Sequence, residues 1–99
     1  MNRYAVQAAW RMADEGVDAT RRDEELRTRI IPEVSALPGF VHGVWARSED
    51  GARSHHTIVF EDRAGAEALV AHVEKNMPYS TAAGVYLESI EVMGVISTD

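Results

Sequence analysis

The sequence predicts an α+β domain in which a four-stranded antiparallel sheet is covered on one face by two helices. Segment 37–62 reads as two strands joined by a tight turn, with a strand and a helix before it and a helix and a strand after it. The resulting order, β-α-β-β-α-β, is that of the ferredoxin-like arrangement. At 99 residues, we expect one domain that covers 1–99.

Composition limits the classes of function. A net charge of −6 argues against nucleic acid as a partner, because phosphate binding needs a clustered basic surface. The chain has no cysteine, which excludes disulfides, thiolate metal sites and cysteine nucleophiles, and this fits a cytoplasmic protein. No apolar run approaches the roughly 20 residues of a membrane span, and residues 1–12 lack the pattern of a signal peptide.

The first strand is predicted from Arg3 to Met12. Its alternate side chains on one face are Tyr4, Val6, Ala8 and Trp10. The run Ala-Val-Gln-Ala-Ala at 5–9 would also suit a helix. We favour the strand, because Asp14-Glu15-Gly16 follows as a turn.

The first helix is predicted to begin at Asp18 or Thr20, either of which can cap it, and to run to about Leu37. Its apolar face is formed by Leu26, Ile30, Val34 and Leu37. Pro32 lies inside this pattern and should kink the helix or start a second, short one. Pro38-Gly39 then stops the helix.

The hairpin is centred on Asp50-Gly51, a pair typical of a type I′ turn, which needs positive φ at both residues. Residues whose numbers sum to 101 should then face each other. One face is predicted to carry Val41, Gly43, Trp45, His56, Ile58 and Phe60, with Trp45 opposite His56 and Val41 opposite Phe60. The other face carries Phe40, His42, Val44, Ala46, His55, Thr57 and Val59.

The second helix should begin at its cap Asp62, run from about 63 to 76 and end before Pro78. Its apolar stripe is Ala66, Leu69, Val70, Val73 and Met77, and 79–84 is predicted to be a loop. The last strand is predicted at 85–96, with Gly94 marking a bulge or bend. Its two faces are predicted to be Tyr86, Glu88, Ile90, Val92 and Ile96, and Leu87, Ser89, Glu91, Met93 and Val95.

Both faces of this sheet carry apolar side chains, although the helices can cover only one of them. An uncovered apolar face is unfavourable in water, so we expect a second copy of the chain to cover it in a homodimer. His42 and His55 lie on that face and could make association depend on pH. No acidic residue clearly joins them, so we predict no metal site.

Two groups of side chains are candidates for a small-molecule site. Trp45 and His56 would form the floor of a pocket, or a simple packing pair between strands. His72 and Asn76 lie one turn apart on the second helix, and Tyr79 could close the pocket from the loop. The alternative is a boundary histidine with an asparagine that caps the helix. The sequence contains neither a dinucleotide nor a phosphate-binding motif and no nucleophile elbow.

The order of elements, the LPGFV segment and the DG hairpin that leads into IVFEDRAGAEA resemble the antibiotic biosynthesis monooxygenase family. The resemblance implies a dimeric α/β barrel with a ligand pocket between the helices and the sheet of each subunit. The family includes small cofactor-free oxygenases and haem-degrading enzymes.

The resemblance also points to particular positions. Phe60 matches the tryptophan that such enzymes carry near the end of the third strand. Phenylalanine keeps an aromatic ring at this position but lacks the indole N–H donor. His72 matches the histidine of the haem degraders, whereas Gln7 or a neighbour stands in place of their asparagine. We expect a cofactor-free monooxygenase-like protein that binds a small aromatic or polyketide-like molecule at Trp45, His56, Phe60, His72, Asn76 and Tyr79. The catalytic candidates are His56, His72 and Asn76. The alternatives are a non-catalytic binding or accessory dimer and, less favoured, a haem-binding protein.

Overall fold

The computed structural model describes residues 2–13 and 19–98, with the side chains of 19 and 20 left out. The strands are β1 (Tyr4–Met12), β2 (Phe40–Arg47), β3 (Arg53–Phe60) and β4 (Val85–Gly94). The helices are α1 (Ala19–Glu25), α2 (Ile31–Ser35) and α3 (Arg63–Ala82), and a π-helical turn (Leu26–Ile30) joins α1 to α2. The turn predicted at 14–16 and both predicted caps of the first helix lie outside the described residues or side chains.

The strands form one antiparallel sheet in the order β2-β3-β1-β4. Its core side chains meet those of α2 and α3 on one face. The central cluster consists of Val6, Ile58 and Phe60 from the sheet and Val34, Ala66 and Leu69 from the helices. Burying each large apolar side chain contributes about 1.5–3 kcal/mol. The predicted α+β, ferredoxin-like architecture is confirmed. None of the described helices is long and apolar enough to cross a membrane.

The register predicted for the hairpin is confirmed near the turn and wrong at its far end. Trp45 pairs with His56, but Phe40 rather than Val41 pairs with Phe60. A bulge between Phe40 and His42 inserts one extra residue into β2, which reverses the faces beyond it. Phe40 therefore packs on the helix side, where its ring meets that of Phe60 edge to face.

The turn of the hairpin is wider than the predicted type I′ turn. Within this turn only Gly51 has a positive φ, and its backbone N–H donates to the carbonyl of Ser48 over 2.9 Å. The Asp50 carboxylate accepts from the hydroxyl of Ser48 and from the N–H of Ala52. These side-chain bonds favour a four-residue loop. Because that loop is also centred between residues 50 and 51, the strand residues next to it still pair as predicted, with numbers that sum to 101.

A second bulge lies where β4 pairs with β1. Ala9 faces Ser89, but Trp10 faces Leu87, so Glu88 is the extra residue. Leu87 and Val85 consequently pack on the helix side, together with Ile90 further along the strand. The predicted faces of the last strand are thus wrong before residue 88, again because one inserted residue inverts the alternation. The strand also ends at Gly94, two residues earlier than predicted.

Pro32 starts a second short helix, which was one of the two outcomes predicted. It lies in the first turn of α2, directly after the π-helical turn, where the N–H of Ile31 donates to the carbonyl of Leu26. Proline has no N–H to donate to the backbone carbonyl of Thr28, and in a regular α-helix its ring would crowd that carbonyl. The wider turn adjusts the helix at this point without ending it.

The second predicted helix is longer than expected, because α3 continues through Pro78 to Ala82. Asp62 caps its start as predicted, and the side chain accepts a hydrogen bond from the N–H of Gly65 at 2.9 Å. Proline removes a single donor from the helical ladder and leaves the later N–H groups available. The helix ends instead at Gly84, whose φ of 80° closes it.

Gly65 lets the start of α3 approach the sheet closely. A Cβ at this position would lie 2.9 Å from both Cδ1 of Phe60 and the carbonyl oxygen of Pro38. Both neighbours are held firmly, since Phe60 is fully buried and the other contact is backbone. The two layers are therefore in contact at this end of the helix.

We predict that Gly65→Ala lowers the free energy of unfolding by about 1–3 kcal/mol, because the added methyl group overpacks the Phe60 contact. Replacing glycine by alanine inside an unhindered helix instead stabilises it by about 0.5–1 kcal/mol. Urea unfolding of Gly65→Ala and of the exposed control Ala64→Ser measures the difference. A variant as stable as the wild type or more stable would contradict the close approach.

Candidate functional site

A cleft of about 610 Å³ lies between the helix-side face of the sheet and the helices. On α3 its lining residues begin at Leu69 and continue past Asn76 to Tyr79 and Ser80. The start of the same helix is in contact with Phe60 through Gly65. The layers are thus closed at one end of α3 and leave space beneath its second half.

The strand register places the floor of the cleft in two rows that cross the sheet. In the first row, Arg47 on β2 and Trp10 on β1 both pair with Ser54 on β3. In the second row, Trp45 and Ala8 both pair with His56. Residues that pair directly project from the same face of a sheet. All of these side chains line the cleft.

His56 lies between two indole rings on this floor. Its ring centre is 6.0 Å from that of Trp10 and 6.4 Å from that of Trp45. Burial, together with the smaller effects of the positive charges of His55 and Arg47, lowers the pKa of His56 to about 4. The imidazole is therefore neutral at pH 7, with one ring nitrogen able to accept a proton or a hydrogen bond.

Gly43 makes room for the ring of Trp45. A Cβ on Gly43 would stand 2.5 Å from Cη2 of the indole, closer than a real Cβ approaches another atom. The ring therefore lies across β2 at the position of the missing side chain. The alternation along β2 predicts that both residues lie on this face of the strand, but it does not predict this contact.

The helix side of the cleft carries the other predicted site residues, on α3. His72, Asn76 and Tyr79 follow each other by four and three residues, so they share one face of the helix. The amide of Asn76 donates to the carbonyl oxygen of His72 over 2.8 Å, which holds the side chain against its own helix. It does not cap the helix, which continues to Ala82.

His72 and Tyr79 lie nearer the rim. Nε2 of His72 is 3.8 Å from a carboxylate oxygen of Glu33, which links α3 to α2 at the mouth of the cleft. Tyr79 is 77% exposed and belongs to the helix, not to a loop. It can cover a ligand only at the open edge.

Phe60 is the one predicted site residue that lies outside the cleft. It is fully buried in the core, where its ring meets that of Phe40 at 6.2 Å and 82°. The indole rings that line the cleft are those of Trp10 and Trp45. Phe60 therefore has a packing role at the closed end of the two layers.

Several polar residues of the cleft were missed by sequence analysis. Trp10 was assigned only to a strand face, and none of Arg22, Arg47 and Ser54 was predicted to be a site residue. The alternation of β2 and β3 was a usable signal for two of them, because Arg47 follows Trp45 by two residues and Ser54 precedes His56 by two. Arg22 belongs to α1, and only the packing of that helix brings it to the cleft.

The outer face of the sheet carries His42 and His55. His42 pairs with Val59, whereas His55 pairs with Ala46, four residues further along β2. At about 3.3 Å per residue, the two histidines are roughly 13 Å apart along the strand. Among residues 2–13 and 19–98, no group of three histidine, aspartate or glutamate side chains could hold a metal ion.

We predict that His56 makes the fold less stable as the pH falls from 6.5 to 4. Because its pKa is lower in the folded chain than in the unfolded chain, the unfolded state binds the extra proton, which costs about 3 kcal/mol of stability at pH 4. NMR titration of the imidazole and urea unfolding at several pH values measure both effects. In His56→Gln this part of the pH dependence should be missing. A ring that titrates near pH 6.5 would contradict the buried, neutral state.

The same architecture occurs in solved structures of other proteins. SnoaB, a cofactor-independent oxygenase from Streptomyces nogalater, matches with a TM-score of 0.71 and 16% identity over 99% of this chain and 97% of its own. A proposed antibiotic biosynthesis monooxygenase from Nitrosomonas europaea matches with a TM-score of 0.69 and 14% identity over 98% of this chain and 93% of its own. MupZ from Pseudomonas fluorescens matches with a TM-score of 0.66 and 15% identity over 97% of this chain and 74% of its own.

These similarities are structural, since the sequence matches no protein-family model and no curated protein. At such low identities they establish the fold and not the reaction. The resemblance found in the sequence is confirmed at that level. The chain has the fold of the antibiotic biosynthesis monooxygenases.

Proposed function

We propose that this protein is a cofactor-free monooxygenase that binds a small aromatic or polyketide-like molecule in the cleft. The observation that carries the proposal is a neutral imidazole, that of His56, held between two indole rings on the floor of a cleft of about 610 Å³. Flat indole faces suit a planar ligand, and the imidazole can take a proton from it. SnoaB, with the same fold, is a cofactor-independent oxygenase.

The reaction proposed is the oxidation of an activated CH₂ group that lies between conjugated rings. His56 accepts one proton, and the carbanion that remains is delocalised onto a conjugated oxygen. The carbanion transfers an electron to O₂, and the two radicals combine into a peroxide anion. This anion takes the proton back from His56 to give a hydroperoxide, and loss of water then leaves a carbonyl group. Each turnover consumes one O₂ and releases one H₂O. The apolar part of the lining, which includes Val6, Ile58 and Leu69, keeps bulk water from the intermediates.

The helix side of the cleft positions the ligand in this proposal. Asn76 uses one amide hydrogen on the His72 carbonyl, so its amide oxygen still has acceptor capacity for the ligand. His72 lies by Glu33 at the mouth, where it can contact polar substituents of the ligand. Tyr79 covers the open edge. His56 is the proton acceptor, because it alone of these residues lies between the two indole rings.

We predict that the protein consumes O₂ when supplied with 1,8-dihydroxyanthrone, a planar molecule with an activated CH₂ group. General base catalysis contributes about 10²–10⁴-fold, so His56→Gln should lower kcat/KM at least about 100-fold. His42→Gln, on the outer face, should keep the wild-type rate. An oxygen electrode and chromatography of the product measure both.

Other outcomes separate the alternatives. Binding of the probe without O₂ uptake would favour a non-catalytic ligand-binding protein of the same fold. An O₂ uptake within twofold of wild type in His56→Gln would overturn the role of His56. A haem titration tests the remaining alternative, because haem held in the cleft would shift the Soret band.

We also propose that a second copy of the chain covers the outer face of the sheet, in a homodimer. Val44 is 58% exposed and Met93 38%, both on strands of a sheet whose other face carries the helices. Covering these side chains removes apolar surface from water. A sheet face is also a self-complementary surface that a two-fold axis can pair with itself.

We predict that Val44→Glu shifts the protein toward the monomer, because it places two carboxylates in the proposed interface. Light scattering after gel filtration, over a series of concentrations, measures the mass. Glu67→Gln, on the exposed side of α3, is the control and should remain dimeric. A wild-type protein that is monomeric at all concentrations would contradict the dimer. Sedimentation at pH 5.5 and 8 shows whether His42 and His55 influence it.

A further inference from the structure

One end of the cleft floor is lined by hydrogen-bond donors. The first row across the sheet consists of Arg47, Ser54 and Trp10, which the register brings side by side. Arg22 of α1 lines the same cleft, and its guanidinium donates to the carbonyl of Ala83 at 3.4 Å. A ligand that reaches this end meets two guanidinium groups.

The indole N–H of Trp10 also belongs to this end. Trp10 is 8% exposed, and its Nε1 is buried with no hydrogen-bond acceptor among the described residues. Buried donors without an acceptor cost free energy and are uncommon in folded proteins. An oxygen atom of a ligand would supply the acceptor, once a small shift of the neighbouring side chains lets it reach the indole N–H.

Carboxylates lie among the guanidinium groups at this end of the cleft. Arg47 forms an ion pair with Asp23, at 2.7 Å. The acidic residues that line the cleft are Glu25 and Glu33, which both lie against Arg29, at 2.6 Å and 3.9 Å. The charges of Glu25 and Asp23 also act on Arg22, where they raise its pKa and oppose the effect of Arg47.

The charge of Arg47 affects two neighbouring groups. The pKa of Arg22 is lowered by burial and then by the charge of Arg47. The charge of Arg47 also contributes, after burial and His55, to the low pKa of His56. A bound anion would offset both repulsions, because it is attracted to the guanidinium groups and favours a protonated His56.

We infer that the cleft binds its ligand as an aromatic oxyanion, whose negatively charged oxygen lies at the Arg47, Arg22 and Trp10 end and whose ring lies beside Trp45 and His56. The inference rests on the proposed function, and it names the class of ligand. When His56 takes a proton from the substrate, the charge moves to a conjugated oxygen, and this end of the cleft stabilises it. A stable aromatic carboxylate resembles that anion in charge and shape.

The test compares two probes with the same ring system, the anion 2-naphthoate and the neutral 2-naphthamide. Isothermal titration calorimetry on the wild type should show that naphthoate binds about tenfold more tightly or better, because a hydrogen bond to a charged group is the stronger one. In Arg47→Gln the preference should fall to within about twofold, and in Arg22→Gln it should fall in part. The preference should also weaken as NaCl is raised.

Matched variants keep the test informative if Arg47→Gln folds poorly without its ion pair. Arg47→Lys retains the charge and should retain most of the preference, and Trp10→Phe removes the indole N–H and should weaken naphthoate more than naphthamide. Arg63→Gln, exposed on α3 and outside the cleft, should bind like the wild type. Equal affinities for the two probes in the wild type, or a preference that survives in both Arg22→Gln and Arg47→Gln, would overturn the inference.

Failure of the inference can be told from failure of the proposed function. If anthrone oxidation depends on His56 but the wild type does not prefer naphthoate, the oxyanion site is wrong and the reaction stands. If the wild type prefers naphthoate through Arg47 and no O₂ is consumed, the oxyanion site stands and the oxidation is wrong.

Discussion

The pairing of β2 with β3, in which Trp45 faces His56, determines what the cleft contains. Alternation along both strands then places Arg47 and Ser54 in the next row on the same face. A shift of one residue would send the indole, the imidazole and the guanidinium to the outer face together. The four-residue loop closed by Ser48 and Asp50 therefore controls the chemistry of a site several residues away. The bulge at Val41 does not disturb this, because it lies at the other end of the strands.

The cleft exists because the helix layer meets the sheet at one end only. Gly65 brings the start of α3 against Phe60, and the buried side chains of the core fill this end. The second half of α3 crosses the sheet above the two rows of the floor. Its continuation through Pro78 to Ala82 extends this wall, so Tyr79 lies on the helix at the rim. A helix that ended before Pro78 would leave the floor open to solvent.

Burial and charge act in the same direction on the floor. Both lower the pKa of His56, so the imidazole stays neutral and can accept a proton. The guanidinium group that contributes to this effect would also stabilise the anion that proton loss leaves on a ligand. A base with so low a pKa accepts a proton only when an anion forms beside it. The two proposals made for this cleft therefore depend on one electrostatic arrangement.

The sequence by itself determined the order of elements, the face of β1 that carries Val6 and Trp10, the cap at Asp62 and the pairing of Trp45 with His56. These features depend on alternation, on turn chemistry and on capping, all of which act between residues close in the chain. Only the tertiary structure decided which side chains meet in the cleft. Trp10 and Arg22 come from elements whose neighbours are set by long-range packing, and the bulges at Val41 and Glu88 appear only when a strand is matched to its partner. The continuation of α3 through Pro78 and the burial of Phe60 likewise depend on contacts with distant parts of the chain, to which no local pattern of residues is sensitive.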